Sequence, residues 1–293
     1  MYTLIVENKY GERLELTHNP SYSIKEINGI DPPDAMINTT HRAGEDGFVF
    51  NSSYIMERTI TITLAVNYPV ERNRINLYKY FKSKMPVRVF YKNATRDVYI
   101  DGYVQTLGVA YFDQKQTAQI VIKCPQPLFN GLNASIQEFV TLEGLFEFPF
   151  DIPIEYDDQE QEYYVEGIPF SEIIVGTEKS IINNGDLETG ALITIQFSGN
   201  VETPKIYNVG TSEYIILNDT FTDGQLITIN TVRGQKEITL LSDGVLSNLI
   251  GKLDGGSTWF QLNPGDNIFT VDADTNPENM LVTFMIVDQY EGV

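Results

Sequence analysis

Thr59-Ile60-Thr61-Ile62-Thr63-Leu64-Ala65-Val66 puts Ile60, Ile62, Leu64 and Val66 on one face of an extended chain and three threonines on the other. A period of two is the mark of a half-buried β-strand. The same alternation recurs outward from this stretch. Val87, Val89 and Tyr91 alternate with Arg88, Phe90 and Lys92, and Ala118, Ile120, Ile122 and Cys124 alternate with Gln119 and Lys123. Further on it returns in Ile193, Ile195 and Phe197, in Ile227 and Ile229, and in Phe269 and Val271. Leu281 to Val287 is apolar on both faces, which predicts a strand covered on both sides. The chain is therefore mainly β.

One segment departs from the period. From Glu71 to Met85, the residues Leu77, Tyr78, Phe81 and Met85 fall at helical spacing, with Val70 a turn earlier and Pro69 at a position that a first-turn proline tolerates. This predicts a single amphipathic helix. Arg72 and Lys79 lie opposite its apolar stripe. A solvated helix face and an electrostatic contact with an acidic neighbour both account for them, and they stand as candidate assembly contacts.

The boundary between domains is read at Cys124-Pro125-Gln126-Pro127, because two prolines after an apolar strand stop ladder pairing. Residues 1–130 carry 15 basic and 13 acidic side chains, whereas 131–293 carry 5 and 27. The first domain is nearly neutral and the second strongly acidic. After an apolar, proline-punctuated stretch from Leu145 to Pro153, an acidic run from Glu155 to Glu166 reads as a surface loop. Turn signals then recur at Asn183-Asn184-Gly185-Asp186, Asp223-Gly224, Asp243-Gly244, Gly255-Gly256 and Pro264-Gly265, the spacing of an antiparallel sandwich or jelly roll. Pro264-Gly265 presets a type II turn that folds a strand carrying Trp259 back into Ile268 to Ala273.

Several classes of function are disfavoured. A net charge of −20 argues against nucleic-acid recognition, which needs clustered cations. No apolar run approaches the ~18 residues of a membrane span, and the opening residues lack a basic region followed by an apolar one, so neither insertion nor a secretory leader is expected. Cys124 is the sole cysteine, expected to be inert in a core. His18 and His41 form no metal-ligand spacing, and no nucleophile elbow or phosphate-binding glycine loop occurs. Asp272-Ala273-Asp274-Thr275-Asn276 begins like a calcium loop but continues with Pro277 where glycine is needed and Thr283 where a bidentate glutamate is needed. No enzyme activity and no cofactor or metal is expected. Trp259 could serve as a sugar-stacking platform or as an ordinary packing residue.

Ile182-Asn183-Asn184-Gly185-Asp186, the strand through Phe197, the segment Ser257 to Asn267 and the closing strand to Tyr290 together resemble the C-terminal part of the distal tail proteins of phages infecting Gram-positive bacteria. Asn28-Gly29-Ile30-Asp31-Pro32-Pro33, the Gly44-Glu45-Asp46-Gly47 turn, Arg58 before the long strand, and Cys124 to Phe129 are similar to its N-terminal half. The resemblance implies an N-terminal β-sandwich or split barrel with one helix over 1–130, followed by a galectin-like antiparallel β-sandwich over 131–293. It implies a structural protein of the virion, at the tail tip or baseplate, made in the host cytoplasm. Its partners would be five further copies in a homo-hexameric ring, the tail tube protein, the tail-associated hub protein and a receptor-binding protein. The charge division assigns the ring to the neutral half and the periphery to the acidic half, where mutual repulsion is screened. The alternative is a carbohydrate-binding module that recognises host cell-wall polysaccharide through Trp259.

Overall fold

Alternating burial runs along most strands, as a period of two requires. The structure, a computed structural model, describes residues 2–111, 115–139, 142–144, 171–173 and 178–293. The expected acidic loop at 155–166 and the stretch at 145–153 lie outside the described residues. One compact unit comprises Met1–Ala134, Asn184–Leu187 and Val287–Val293, and a second comprises Ser135–Asn183 and Glu188–Ile286. The first holds 15 basic and 16 acidic residues, the second 5 and 24.

The first unit contains β1 (Thr3–Asn8), β2 (Arg13–Glu15), β3 (Tyr22–Asn28), β4 (Ala35–Thr40), β5 (Val49–Ile55), β6 (Arg58–Val66), α1 (Val70–Tyr80), β7 (Pro86–Lys92), β8 (Asp97–Val109), β9 (Thr117–Cys124) and β10 (Phe129–Gly131). Seven strands of a nine-stranded antiparallel sheet follow the order β2-β1-β7-β8-β9-β6-β3. Strand β8 pairs with β7 over Asp97–Tyr103 and with β9 over Tyr103–Val109, with a register shift between Val104 and Thr106. Such a bulge bends a strand and lets one sheet wrap its own core. The inward residues Leu4, Val6, Ile62, Leu64, Ile100 and Ile120 share one core with Leu77 and Phe81 of the helical segment. The ladder of β9 stops at Cys124, and β10 then returns to pair with β8 through Tyr99 and Val98.

The helix is shorter than the spacing predicts. Pro69 precedes it, and its carbonyl accepts the Asn73 amide at 3.1 Å. Helix α1 ends at Tyr80, with the Phe81 amide closing the last turn on Leu77. Lys84 then takes a left-handed φ of 67°, its amide donates to the Val104 carbonyl, and the Val104 amide donates to the Met85 carbonyl. Sheet hydrogen bonds thus draw Met85 out of the helix and into the approach to β7. Its buried stripe is Asn73 and Leu77, flanked by Val70 and Tyr80. Tyr78 instead sits at the wet edge, 3.2 Å from the Tyr111 hydroxyl.

The second unit contains β11 (Ser135–Phe139), β12 (Leu142–Gly144), β13 (Ser171–Ile173), β14 (Lys179–Asn183), β15 (Ala191–Phe197), β16 (Val201–Glu202), β17 (Lys205–Asn208), β18 (Glu213–Ile216), β19 (Thr220–Phe221), β20 (Leu226–Asn230), β21 (Glu237–Ser242), β22 (Val245–Asn248), β23 (Gly265–Asp272) and β24 (Met280–Ile286). A six-stranded antiparallel sheet, β11-β24-β15-β20-β21-β22, and a four-stranded one, β14-β23-β17-β18, share one core. Phe269 of the smaller sheet lies 5.0 Å from Phe284 of the larger and 5.0 Å from Phe260, so aromatic rings join the two layers of a sandwich.

Two local expectations change here. Gly265 has the positive φ that the Pro264-Gly265 turn requires, but the segment carrying Trp259 is not a strand. Both edges of β23 are already taken, by β14 and β17. The Asn267 side chain holds the segment instead, accepting from the Asn263 amide at 2.8 Å and donating to its carbonyl at 2.8 Å. In β24, Met280, Val282, Phe284 and Ile286 are buried while the residues between them are only half-buried, so one face is covered fully and the other in part. A last strand, β25 (Gln289–Tyr290), returns to the first unit and pairs with β10.

Candidate assembly surface

Between β3 and β6 the chain leaves the sheet of the first unit and forms the β4–β5 hairpin. Every residue of both strands is exposed. Its rungs pair Met36 with Tyr54, Ile37 with Ser53, Asn38 with Ser52, Thr39 with Phe50 and Thr40 with Val49, with a bulge after Asn38. The Asn38 amide donates to the Ser52 hydroxyl at 3.0 Å, and the Asn51 amide donates to the Thr40 hydroxyl, so polar side chains brace the ribbon. Apolar side chains stand on both faces: Ile37 is 62% exposed, Phe48 70%, Phe50 61% and Tyr54 57%. Strands of six and seven residues reach about 20 Å. An isolated two-stranded ribbon is marginal in water, and clustered exposed apolar residues mark an interaction surface.

The hairpin root is built around Arg58, the first residue of β6, which is only 3% exposed. Its Nε donates to the Pro127 carbonyl at 2.6 Å, and its Nη1 donates to the carbonyls of Gly29 and Asp31, each at 2.6 Å. Its Nη2 donates to the Glu291 carbonyl, and the guanidinium lies 4.6 Å from the centre of the Phe129 ring. Burial pulls the arginine pKa down, while Cys124, Asp31 and Glu291 oppose the shift. Four carbonyls thus supply what water otherwise would. Gly29 has φ +86°, and a Cβ there would sit 2.1 Å from the Thr59 carbonyl oxygen, so only glycine lets the incoming root pass β6. Cys124 is fully buried and burial pushes its thiol up to about 12, so it is inert as expected.

The predicted contact residues are spread over the molecule. Arg72 and Lys79 are exposed, a full seven residues apart on α1 and hence on one side of it. Between them Arg74, which the sequence reading passed over, pairs with Glu71 at 3.6 Å and lies 4.9 Å over the Tyr111 ring. Trp259 belongs to the second unit, where it is half-buried against the core with the Lys236 ammonium 5.8 Å from its ring centre. Asp274 of the calcium-like run pairs with Lys205. The hairpin is the feature that sequence reading missed. The signal was there in the Gly44 and Gly47 turn between two strand-like stretches, but both stretches mix polar and apolar residues without one clean face.

Residues 184–285 match the family model described as the siphovirus-type tail component, C-terminal domain. Across 98% of this chain and 99% of its counterpart, the fold matches the crystal structure of Dit (gp 19.1) from phage SPP1, described as a paradigm of the hub adsorption apparatus in phages infecting Gram-positive bacteria, with a TM-score of 0.65 and 14% identity. A chain of the phage P2 baseplate in its activated conformation with calcium aligns over 100% of both chains with a TM-score of 0.48 and 12% identity. Comparison with curated proteins gives no match. By sequence over residues 184–285, and by fold over nearly its whole length, the chain is similar to the distal tail proteins of phages that infect Gram-positive bacteria.

Proposed function

We propose that this protein is a structural component of a phage or prophage tail tip, and that it acts by assembling rather than by catalysis. Copies associate through the first unit into a six-membered ring, which joins the tail tube to the tail-associated hub, while the acidic second unit faces outward and carries receptor-binding or other baseplate proteins. The observation that carries this reading is the β4–β5 hairpin, whose apolar side chains are exposed along both strands and have no cover among the described residues. We assign its occupant as the neighbouring copy. A heterologous contact repeated by rotation closes a ring, and units with 15 basic and 16 acidic residues can pack closely without strong repulsion. Units with 5 basic and 24 acidic residues repel one another and favour the periphery. Arg72 and Lys79 add cationic contacts at the rim of the same assembly.

Light scattering on the purified full chain, with class averages from electron microscopy, tests the proposal. A hexameric mass and six-fold rings are the expected result. A strictly monomeric chain at tens of micromolar would overturn the ring, and rings with the second unit around the central opening would overturn the assignment of the two units.

A further inference from the structure

Arg58 fastens more than its own strand. Two of its four carbonyl acceptors, Gly29 and Asp31, lie on the chain entering the hairpin, and Arg58 itself lies just past the hairpin's exit. A third acceptor, Glu291, comes from Val287–Val293, a segment that belongs to the first unit but follows the whole of the second in sequence. That segment makes further contacts around the same root. Tyr290 pairs with Phe129, the Val293 amide donates to the Ile30 carbonyl at 3.1 Å, and the Gly131 amide donates to the Asp288 carbonyl at 2.8 Å. Gly292 runs so close to Pro32 that a Cβ there would lie 2.9 Å from the proline ring. Arg96 secures the outer side: it donates to the Gly292 carbonyl, pairs with Asp186 at 2.9 Å and lies 4.5 Å over the Tyr290 ring. Asp186 is held in turn, its amide donating to the Gln289 carbonyl at 2.9 Å.

We infer that Val287–Val293 is a clasp that fixes the root of the β4–β5 hairpin, so that the hairpin is presented for assembly only once the chain beyond the second unit is in place. The physical argument is one of populations. Residues Gly29–Asp31 have no ladder partner among the described residues, and without the clasp the root opens locally while β6 and its neighbours stay paired. A hairpin that points correctly only part of the time binds its neighbour more weakly by that fraction, at every interface it makes. The root therefore converts the folding of a sequence-distant segment into competence for association. The consequence for association rests on the ring reading above, whereas the fastening of the root does not.

The test compares the full chain with a chain ending at Val287 and with full-length Arg96→Ala, which keeps the whole Val287–Val293 segment. Amide hydrogen exchange is followed over residues 29–34 and 56–58, and self-association is measured by sedimentation. The shortened chain is expected to exchange at least tenfold faster at the root and to associate at least tenfold more weakly. Arg96→Ala is expected to shift both in the same direction by a smaller factor, about threefold. Exchange over 226–230 in the second unit stays unchanged. If the first unit of the shortened chain opens altogether, read as immediate labelling of Cys124, the clasp is needed for more than the root, and Arg96→Ala still reports the local effect. Root exchange that is unaltered in Arg96→Ala and in a shortened chain that remains folded overturns the clasp. A full chain that never self-associates overturns the ring instead, because the exchange data stand apart from it.

Discussion

Strand β6 and the β4–β5 hairpin are separated by only two residues, Met56 and Glu57, and both draw on isoleucine, valine and threonine. In β6, Arg58, Ile60, Ile62, Leu64, Ala65 and Val66 are buried, whereas nothing in β4 or β5 is. The difference is one of supply. Strand β6 has β3 and β9 along its two edges and a wrapped core beneath it, all from the same chain. Among the described residues, the hairpin's strands pair only with each other. Strand propensity states that a segment will extend and pair, and it does not state which chain provides the cover.

Sole reporters in each unit make this contrast measurable, since Cys124 is the only cysteine and lies in the first unit, while Trp259 is the only tryptophan and lies in the second. The largest effect is expected from Ile62→Ala. Truncating this fully buried side chain should destabilise the first unit by about 2–5 kcal/mol. Labelling of Cys124 then accelerates by at least tenfold, and the Trp259 fluorescence transition keeps its midpoint. A shift of both reporters together would show that the units do not unfold separately. Next comes Phe50→Ser in the hairpin, expected to weaken self-association by about 2 kcal/mol, as loss of a buried aromatic anchor does. Its own stability should change by no more than about 0.5 kcal/mol, because the ring is exposed within the chain. Slower or faster Cys124 labelling in this variant would mean the hairpin supports the fold rather than the contact.

Alkali should separate the two units more gently. The Cys124 thiol is raised from about 9 to about 12 in the folded protein, so its contribution is complete below pH 9, where both states keep the proton. Above that the unfolded chain releases the proton and the folded one retains it, which lowers stability by up to about 1.4 kcal/mol per pH unit until the folded thiol also titrates. Burial raises Tyr22, Tyr91 and Tyr290 of the same unit in the same sense. Between pH 9 and 10, calorimetry should show the first-unit transition falling while the transition tracked by Trp259 holds. Equal decline of both would remove the asymmetry.

How much of this could be read from the sequence follows the same division. Ile60 to Val66 and Ala118 to Cys124 announced themselves because one clean face meets a core within the chain, and the helix at Leu77 and Phe81 did so by its spacing. The helix end was not legible, since Met85 is claimed by a hydrogen bond to Val104, a residue nearly twenty positions away. The sequence around Trp259 reads as a strand because its turn residues are correct, while the occupied edges of β23 are invisible in one dimension. The hairpin and its clasp escaped for a related reason. An arginine that collects carbonyls from positions 29, 31, 127 and 291 leaves no periodic trace, and a hairpin exposed along both strands leaves no single hydrophobic face to count.

The smallest effect concerns the charges on α1. Arg72 and Lys79 are exposed on one side of the helix, and reversing both, as Arg72→Glu with Lys79→Glu, should leave Cys124 labelling unchanged. If this side of the helix borders a neighbouring copy, the double variant weakens association by about 0.5–1 kcal/mol, the usual scale for rim charges. The loss should be visible at low salt and fade at high salt, because exposed charges more than ~10 Å apart are screened near 0.1 M. Phe50→Ser provides the contrast, since an apolar anchor loses affinity at every ionic strength. A double variant that associates like the parent at low salt would return Arg72 and Lys79 to a merely solvated helix face, and would leave the hairpin as the contact that holds copies together.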